Sequence, residues 1–321
     1  MVKLVDIAKA AQVSKAAVSY AFSSDPEKRA KLSAATLERI LQTARQFNYR
    51  PSLTGRGFAK RRSYNIALLM PVSCTRNMSG HYLGMFHGVS SGIAGSDYNL
   101  SVFFGCDEKF FSSVNSGRVD GVAVLARRNE SAVFGQLAKL SIPVVYLNRP
   151  APYESDNVSS CCSDYRNWIE QVLNGFSMRG IKDCRLYYRP DRCGDLEAER
   201  WFRFFAPEHK FTACSFKRDE FATLECTAGC GFIFLGSSPE ILDFIRKHPD
   251  ADYMMISESE QLLRYIGSRD KLFYHDSEPI GRAGVEILLD MLERNKKSEA
   301  KFIPLLNYGS VAPKESLIPE F

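Results

Sequence analysis

Between residues 63 and 321, short apolar runs alternate with longer stretches of helical periodicity, and this alternation narrows the fold more than any other feature. Strand candidates are Ile66–Met70, Leu100–Phe104, Gly121–Leu125, Pro143–Leu147, Arg185–Tyr188, Phe211–Ser215, Phe232–Leu235, Tyr253–Ile256 and Phe302–Leu306. Helices are expected over 81–95, 130–140, 164–179, 195–205, 239–248 and 279–294. Continuous apolar runs between helices indicate parallel strands buried on both faces, and hence a doubly wound α/β body. A body of roughly 260 residues exceeds what one such sheet comfortably holds, so two lobes are expected.

The first 62 residues differ in kind. They hold 13 Lys and Arg against four acids, a net of +9, while the other 259 residues hold 29 against 33, a net of −4. A compact basic module on a mildly acidic body suggests a polyanion as its partner. Within the module Leu4, Ile7, Ala8 and Ala11 follow helical spacing, and Ser14 is placed to cap a second helix. On that helix Val18, Ala21 and Phe22 fall on one side and Lys15, Ala16, Ser19 and Tyr20 on the other. Two short helices and a three-residue turn are the size of a helix-turn-helix. Ser33 then caps a third helix with an apolar stripe of Leu37, Ile40, Leu41, Ala44 and Phe47, which stops before Arg50-Pro51. Small Ala16 and Ser19 allow close approach to base edges, and Lys15 and Tyr20 can reach bases or phosphates.

Other function classes find little support. No apolar stretch is long enough for a membrane helix. The start, with Lys3, Asp6 and Lys9, has no signal-peptide core, so a cytoplasmic location without membrane association is expected. The nine cysteines are scattered, and neither the Cys226/Cys230 pair nor adjacent Cys161 and Cys162 has a second pair at zinc spacing. Buried, reduced thiols are the simplest reading, with no metal and no cofactor. No G-x-S-x-G, P-loop or H-E-x-x-H is present, so no catalytic residue is assigned and no enzyme is expected. His81, His87, His209 and His248 are scattered and read as structural.

Three stretches carry a family resemblance: Lys3-Leu4-Val5-Asp6-Ile7-Ala8, then Val13-Ser14 with Ala17-Val18-Ser19, and Asn48-Tyr49-Arg50-Pro51-Ser52. Their order and spacing resemble the LacI/GalR family of bacterial transcription repressors. Ser19-Tyr20 looks like the branch regulating fructose and sucrose metabolism. Two departures stand out: Gln12 replaces the usual glycine in the turn, and the connector Ser23 to Lys31 is long.

The resemblance implies an amino-terminal all-α helix-turn-helix domain (1–50), a hinge helix or linker (51–62) and a two-lobed core like a periplasmic sugar-binding protein (63–321). Lobe 1 would span about 63–149 and 278–299, and lobe 2 about 150–277 and 300–321. It implies a homodimer on a pseudo-palindromic double-stranded DNA operator, with dimer contact from residues 63–165 and the helix near 280–294. No heptad follows Phe302, so no family-type tetramer is expected. The DNA-binding residues would be Leu4, Val5, Ser14, Lys15, Ala16, Ser19, Tyr20, Ser23, Ser33, Tyr49, Arg50, Ser52, Gly55, Arg56, Phe58 and Lys60. Phe58 takes the place of the family's minor-groove wedge. Gly55 and Gly57 disfavour the hinge helix, so it is expected to order only on DNA; a flexible basic linker is the simpler reading.

Ligands of open α/β sheets sit beyond the carboxyl ends of the strands. By position the effector residues would be Ser73, Asn148, Arg149, Arg200, Phe216, Ser237, Glu258 and Asp276. Most polar partners of a neutral sugar are replaced, so the effector site is divergent. Three readings of the cleft stay open: an anionic metabolite such as a sugar phosphate, held by Arg149, Arg192 or Arg200; no tight ligand; or a neutral-sugar site in another register. The competing class is a small-molecule-binding protein of the same fold with no specific DNA role.

Overall fold

The computed structural model describes residues 2–23, 26–50, 57, 60–76, 78–125, 131–181, 183–190, 192–205, 210–217, 221, 223–226, 229–258 and 271–307. The chain divides into two compact units, Met1–Tyr64 and Asn65–Phe321.

The first unit contains helices α1 (Leu4–Ala10), α2 (Lys15–Ala21), α3 (Pro26–Ala30) and α4 (Ala34–Gln46). Local chemistry sets their ends. The Asp6 carboxylate accepts from the Lys3 N–H at 2.8 Å, Ser14 Oγ from Ala17 N–H at 3.1 Å, and Ser33 Oγ from Thr36 N–H at 3.2 Å. Ile7, Ala8, Ala11, Val18, Ala21, Ile40 and Ala44 form one small core. Three helices were expected; α3 is a fourth, inside the long connector. Phe47 ends the predicted apolar stripe yet is 44% exposed, because the helix stops at Gln46 and the chain turns at Asn48 (φ +48°).

The second unit contains two six-stranded sheets. The first joins β1 (Asn65–Met70), β2 (Asn99–Phe104), β3 (Gly121–Val124), β4 (Val144–Leu147), β5 (Val158–Ser163) and β11 (Lys301–Ile303), in the order β11-β5-β4-β3-β1-β2, all parallel. The second joins β6 (Asp183–Tyr188), β7 (Lys210–Ser215), β8 (Cys230–Leu235), β9 (Asp252–Ser257), β10 (Leu272–Tyr274) and β12 (Leu306–Asn307), in the order β12-β10-β9-β8-β6-β7. Among the described residues, the β10–β12 pairing alone is antiparallel. Side chains alternate between faces with period two. Ile66, Leu68 and Met70 enter one core of the first lobe, while Ala67 and Leu69 enter the other. In the second lobe Ile233 and Leu235 face one core, and Phe232 and Phe234 the opposite one.

Among the described residues, seven helices flank these sheets: α5 (Gly80–Ile93), α6 (Glu108–Asn115), α7 (Ser131–Leu137), α8 (Tyr165–Met178), α9 (Cys193–Phe205), α10 (Pro239–Lys247) and α11 (Glu278–Arg294). Glycines on α5 and α11 let the two backbones approach closely: a Cβ on Gly88 would strike the Glu278 carbonyl, and one on Gly281 the Met85 carbonyl. The apolar face of α11 is therefore consumed within its own lobe, leaving less for a dimer contact than the sequence suggests.

The lobe boundaries expected from sequence need moving. β5 pairs with β4, so the chain leaves the first lobe after Ser163 rather than near Pro150. The run Val-Ser-Ser-Cys-Cys-Ser is not apolar enough to read as a buried strand, yet every residue of it is buried. Likewise β11 joins the first sheet and only β12 returns to the second, where one strand and one lobe were expected. Among the described residues, no helix is long and apolar enough to cross a membrane.

Candidate functional site

In the first unit, α1, a turn and α2 form a helix-turn-helix. Gln12 adopts φ +52° in that turn, which is the conformation the missing glycine would take without strain. Val18 and Ala21 anchor α2 in the core, and this presents Lys15, Ala16 and Ser19 to solvent with Tyr20 half-buried beside them. Lys31 Nζ stands 5.8 Å from the Tyr20 ring centroid, adding positive charge to this face. Arg50 and Lys60 are exposed, and Val5 is half-buried.

Several of the other expected DNA contacts have structural work. Ser14 and Ser33 cap α2 and α4, a role compatible with offering helix N-termini to phosphates. Leu4 packs against the small core. The Ser23 carbonyl accepts from Arg29 Nε at 2.6 Å. Tyr49 meets the Phe22 ring edge-on, with centroids 5.6 Å apart, and partial burial raises its pKa. Ser52, Gly55, Arg56 and Phe58 lie outside the described residues.

In the second unit a cavity of about 510 Å³ opens between the two lobes at the carboxyl ends of their strands. Ser73, Asn148, Ser237 and Glu258 line it, as expected from sequence. Four other expected residues do not. Asn148 takes φ +53° and turns the chain so that the Arg149 guanidinium lies 4.1 Å from the Phe134 ring centroid; Arg149 lines a neighbouring hollow of about 260 Å³ instead. Phe216 packs on Phe221 at 5.1 Å between centroids, with the Arg189 guanidinium 5.3 Å from its ring. Arg200 sits over Trp201, because Ala198 takes the buried face of α9. The Asp276 carboxylate accepts from the Glu278 N–H at 3.1 Å and so helps start α11. His209 lies outside the described residues.

The cavity also holds Arg192, one of the three arginines considered for an anion, and gathers residues that nothing in the sequence groups: His81, His275, Tyr165, Arg189 and Asp195. His81 was read as structural, yet its ring lies 4.8 Å from that of His275. A hydrogen-bonded chain links the two imidazoles. Asn148 Nδ2 is 3.0 Å from His81 Nε2, Ser163 Oγ donates to Asn148 Oδ1 at 3.0 Å, and Ser163 Oγ is 2.6 Å from His275 Nε2. On the other side His81 Nδ1 is 3.4 Å from Glu258 Oε1. Burial, with the charge of Arg192 adding to it, pushes the His81 pKa down to about 4. Burial and then His81 push His275 down to about 3, against the opposing pull of Glu258. Both imidazoles are therefore neutral at pH 7, each able to donate one hydrogen bond and accept another. Asp195 accepts from the Arg189 N–H at 2.8 Å. The cavity suits a small, strongly polar molecule: neutral rings, hydroxyls and two carboxylates on its walls, and Arg189 and Arg192 for negative charge.

The profile of the bacterial regulatory proteins of the lacI family matches residues 3–52. Among curated proteins, "Probable HTH-type transcriptional repressor ExuR" of Bacillus subtilis is 27% identical over 184 residues, 57% of this chain and 53% of the relative. The HTH-type transcriptional regulator PtxS of Pseudomonas aeruginosa is 28% identical over 198 residues, 59% of this chain and 54% of the relative. The chain thus spans about half the length of the curated relatives it matches. Among solved structures, the lac repressor dimer bound to operator and an anti-inducer superposes with a TM-score of 0.64 at 15% identity, covering 97% of this chain and 99% of that one. Residues 3–52 thus carry the helix-turn-helix pattern of the lacI family of bacterial regulatory proteins, and the body that follows has a two-lobed fold similar to that of the lac repressor.

Proposed function

We propose that this chain is a sequence-specific DNA-binding transcriptional regulator, a homodimeric repressor of a metabolic operon that responds to a small polar metabolite. One observation carries the reading: α2 presents Lys15, Ala16 and Ser19 outward from a compact helix-turn-helix of strongly positive charge. Lys15, Ser19 and Tyr20 read bases in the major groove, and Arg50, Arg56, Lys60, Arg61 and Arg62 hold phosphates. Phe58 enters the minor groove and deforms the operator centre. One such helix reads too few base pairs for useful specificity, so two copies meet on a pseudo-palindromic site. The first lobe offers apolar surface for that pairing in Val72 (58% exposed), Leu83 (54%) and Phe104 (40%), the last on an edge strand. The interlobe cavity holds the effector, whose binding changes lobe closure and thereby the affinity for DNA. The protein acts in the cytoplasm and catalyses no reaction.

Selection of bound sites from genomic DNA followed by gel shift tests this. Tyr20→Ala lowers discrimination between operators, while Lys60→Ala weakens all DNA about equally and flattens the salt dependence by roughly one unit. Uniform loss in both variants refutes the assignment of base readout. A folded protein with ligand affinity but no salt-dependent DNA affinity is the small-molecule-binding protein instead.

A further inference from the structure

We propose that His81, Glu258 and His275 form a divalent transition-metal site, of the zinc class, that ties the two lobes together. One donor atom from each side chain lies within 4.8 Å of the others. Zinc at about 2.0–2.1 Å from each donor needs them roughly 3.4 Å apart in tetrahedral geometry. His81 Nδ1 and Glu258 Oε1 already stand 3.4 Å apart, and Glu258, 34% exposed at the cavity wall, is free to adjust.

Two further observations point to a ligand here. First, His81 Nδ1 is buried without a hydrogen-bond partner although the Glu258 carboxylate stands 3.4 Å away. A cation between them satisfies both. Second, one nitrogen of each imidazole is already held: His81 Nε2 by Asn148 and His275 Nε2 by Ser163, and those two side chains hydrogen-bond each other. Metal-ligating histidines donate their other ring N–H to partners behind them, as His275 Nε2 does to Ser163; at His81 the Asn148 amide donates to Nε2 instead, and it turns over for His81 to ligate. When metal is bound, the His81 proton moves from Nδ1 to Nε2, Asn148 turns its carbonyl toward it, and the Asn148 amide donates to Ser163.

Two imidazole nitrogens and one carboxylate suit zinc or a neighbouring transition ion better than calcium or magnesium, which prefer oxygen. Three protein ligands leave a coordination position for water or an anionic oxygen from the cavity. Arg192, which also faces the cavity, opposes a bare cation, and the carboxylates of Glu258 and Asp195 offset it. His81 comes from α5 in the first lobe, whereas Glu258 and His275 follow β9 and β10 in the second. A bound ion therefore favours one closure of the lobes. The sequence hides this site, since no short spacing joins positions 81, 258 and 275.

The test is calorimetric titration of zinc chloride into the full chain after chelator treatment, with cobalt(II) as a spectroscopic stand-in. The expected result is one ion per chain, visible cobalt bands without a thiolate charge-transfer band, and a melting temperature raised by zinc. His81→Asn and Glu258→Gln should each weaken binding about tenfold or more and abolish the shift in melting temperature. Because His275 is buried, His275→Asn is judged beside its circular dichroism spectrum, and the other two variants decide the matter. Absence of stoichiometric binding at micromolar zinc overturns the proposal. So does binding that survives both variants, or a thiolate band, either of which puts the metal on cysteines. None of these measurements involves DNA, so their failure leaves the proposed regulatory function standing.

Discussion

Gly281 sits where α11 crosses α5, and replacing it by alanine tests whether that crossing is as tight as the geometry says. A Cβ built there falls on the Met85 carbonyl oxygen, with Met85 C and Cα only 2.9 and 3.0 Å away. Backbone atoms inside a helix cannot rotate aside as a side chain can. Overpacking a core costs about 1–3 kcal/mol, and a backbone obstacle belongs at or beyond the upper end. Alanine favours helix over glycine by about 1 kcal/mol, which offsets part of this. The net expectation is destabilisation by about 2 kcal/mol, or a drop of roughly 4–8 °C in melting temperature for a domain of this size. Gly135 on α7 is the control: it is exposed, and a Cβ there meets nothing within 4 Å. Gly135→Ala should raise stability by about 0.5–1 kcal/mol. Both variants are compared by scanning calorimetry and urea unfolding at one pH. If Gly281→Ala matches or exceeds the wild type while Gly135→Ala behaves as expected, the helices separate at little cost and the reasoning fails.

Other perturbations follow from the same structure. Gln12→Gly relieves a left-handed residue, so it should stabilise the helix-turn-helix by about 0.5–1 kcal/mol and slow hydrogen exchange of α1 and α2; faster exchange would contradict the strain. Burial pushes Cys161, Cys162 and Cys184 up to about 12, so all three stay protonated at pH 8. A thiol reagent should modify half-buried Cys106, Cys214 and Cys226 about tenfold faster or more, as read by peptide mass spectrometry. Finally, the unfolded chain protonates His81 and His275 below about 6.5, while the folded chain resists until about 4 and about 3. The stability they allow is complete above 6.5 and falls as pH drops toward 3. In chelator-treated protein, His81→Gln should flatten the urea midpoint's fall between pH 7 and pH 4; an unchanged slope would count against the burial argument.

What could be read in the chain before any coordinates was mostly local. Serine caps, the apolar spacing of α1, α2 and α4, and the apolar runs of β1, β3, β4, β8 and β9 are decided by residues near one another, and they name a helix-turn-helix on a doubly wound body. The basic amino-terminal stretch adds the electrostatic reason to expect DNA. Strands such as β5 escaped, because Ser159, Ser160 and Ser163 look like loop residues until both faces of the sheet are covered. The cleft was legible only where a strand's carboxyl end points at it, as at Asn148, Ser237 and Glu258. Arg149, Arg200, Phe216 and Asp276 were displaced by packing choices that no spacing rule contains: a ring to lie on, a helix face already taken, a helix start to cap. The meeting of His81 with His275 across the two lobes belongs wholly to tertiary structure. Periodicity and capping act over a turn or two of chain, whereas proximity across a cleft depends on how two separately wound sheets come to face each other.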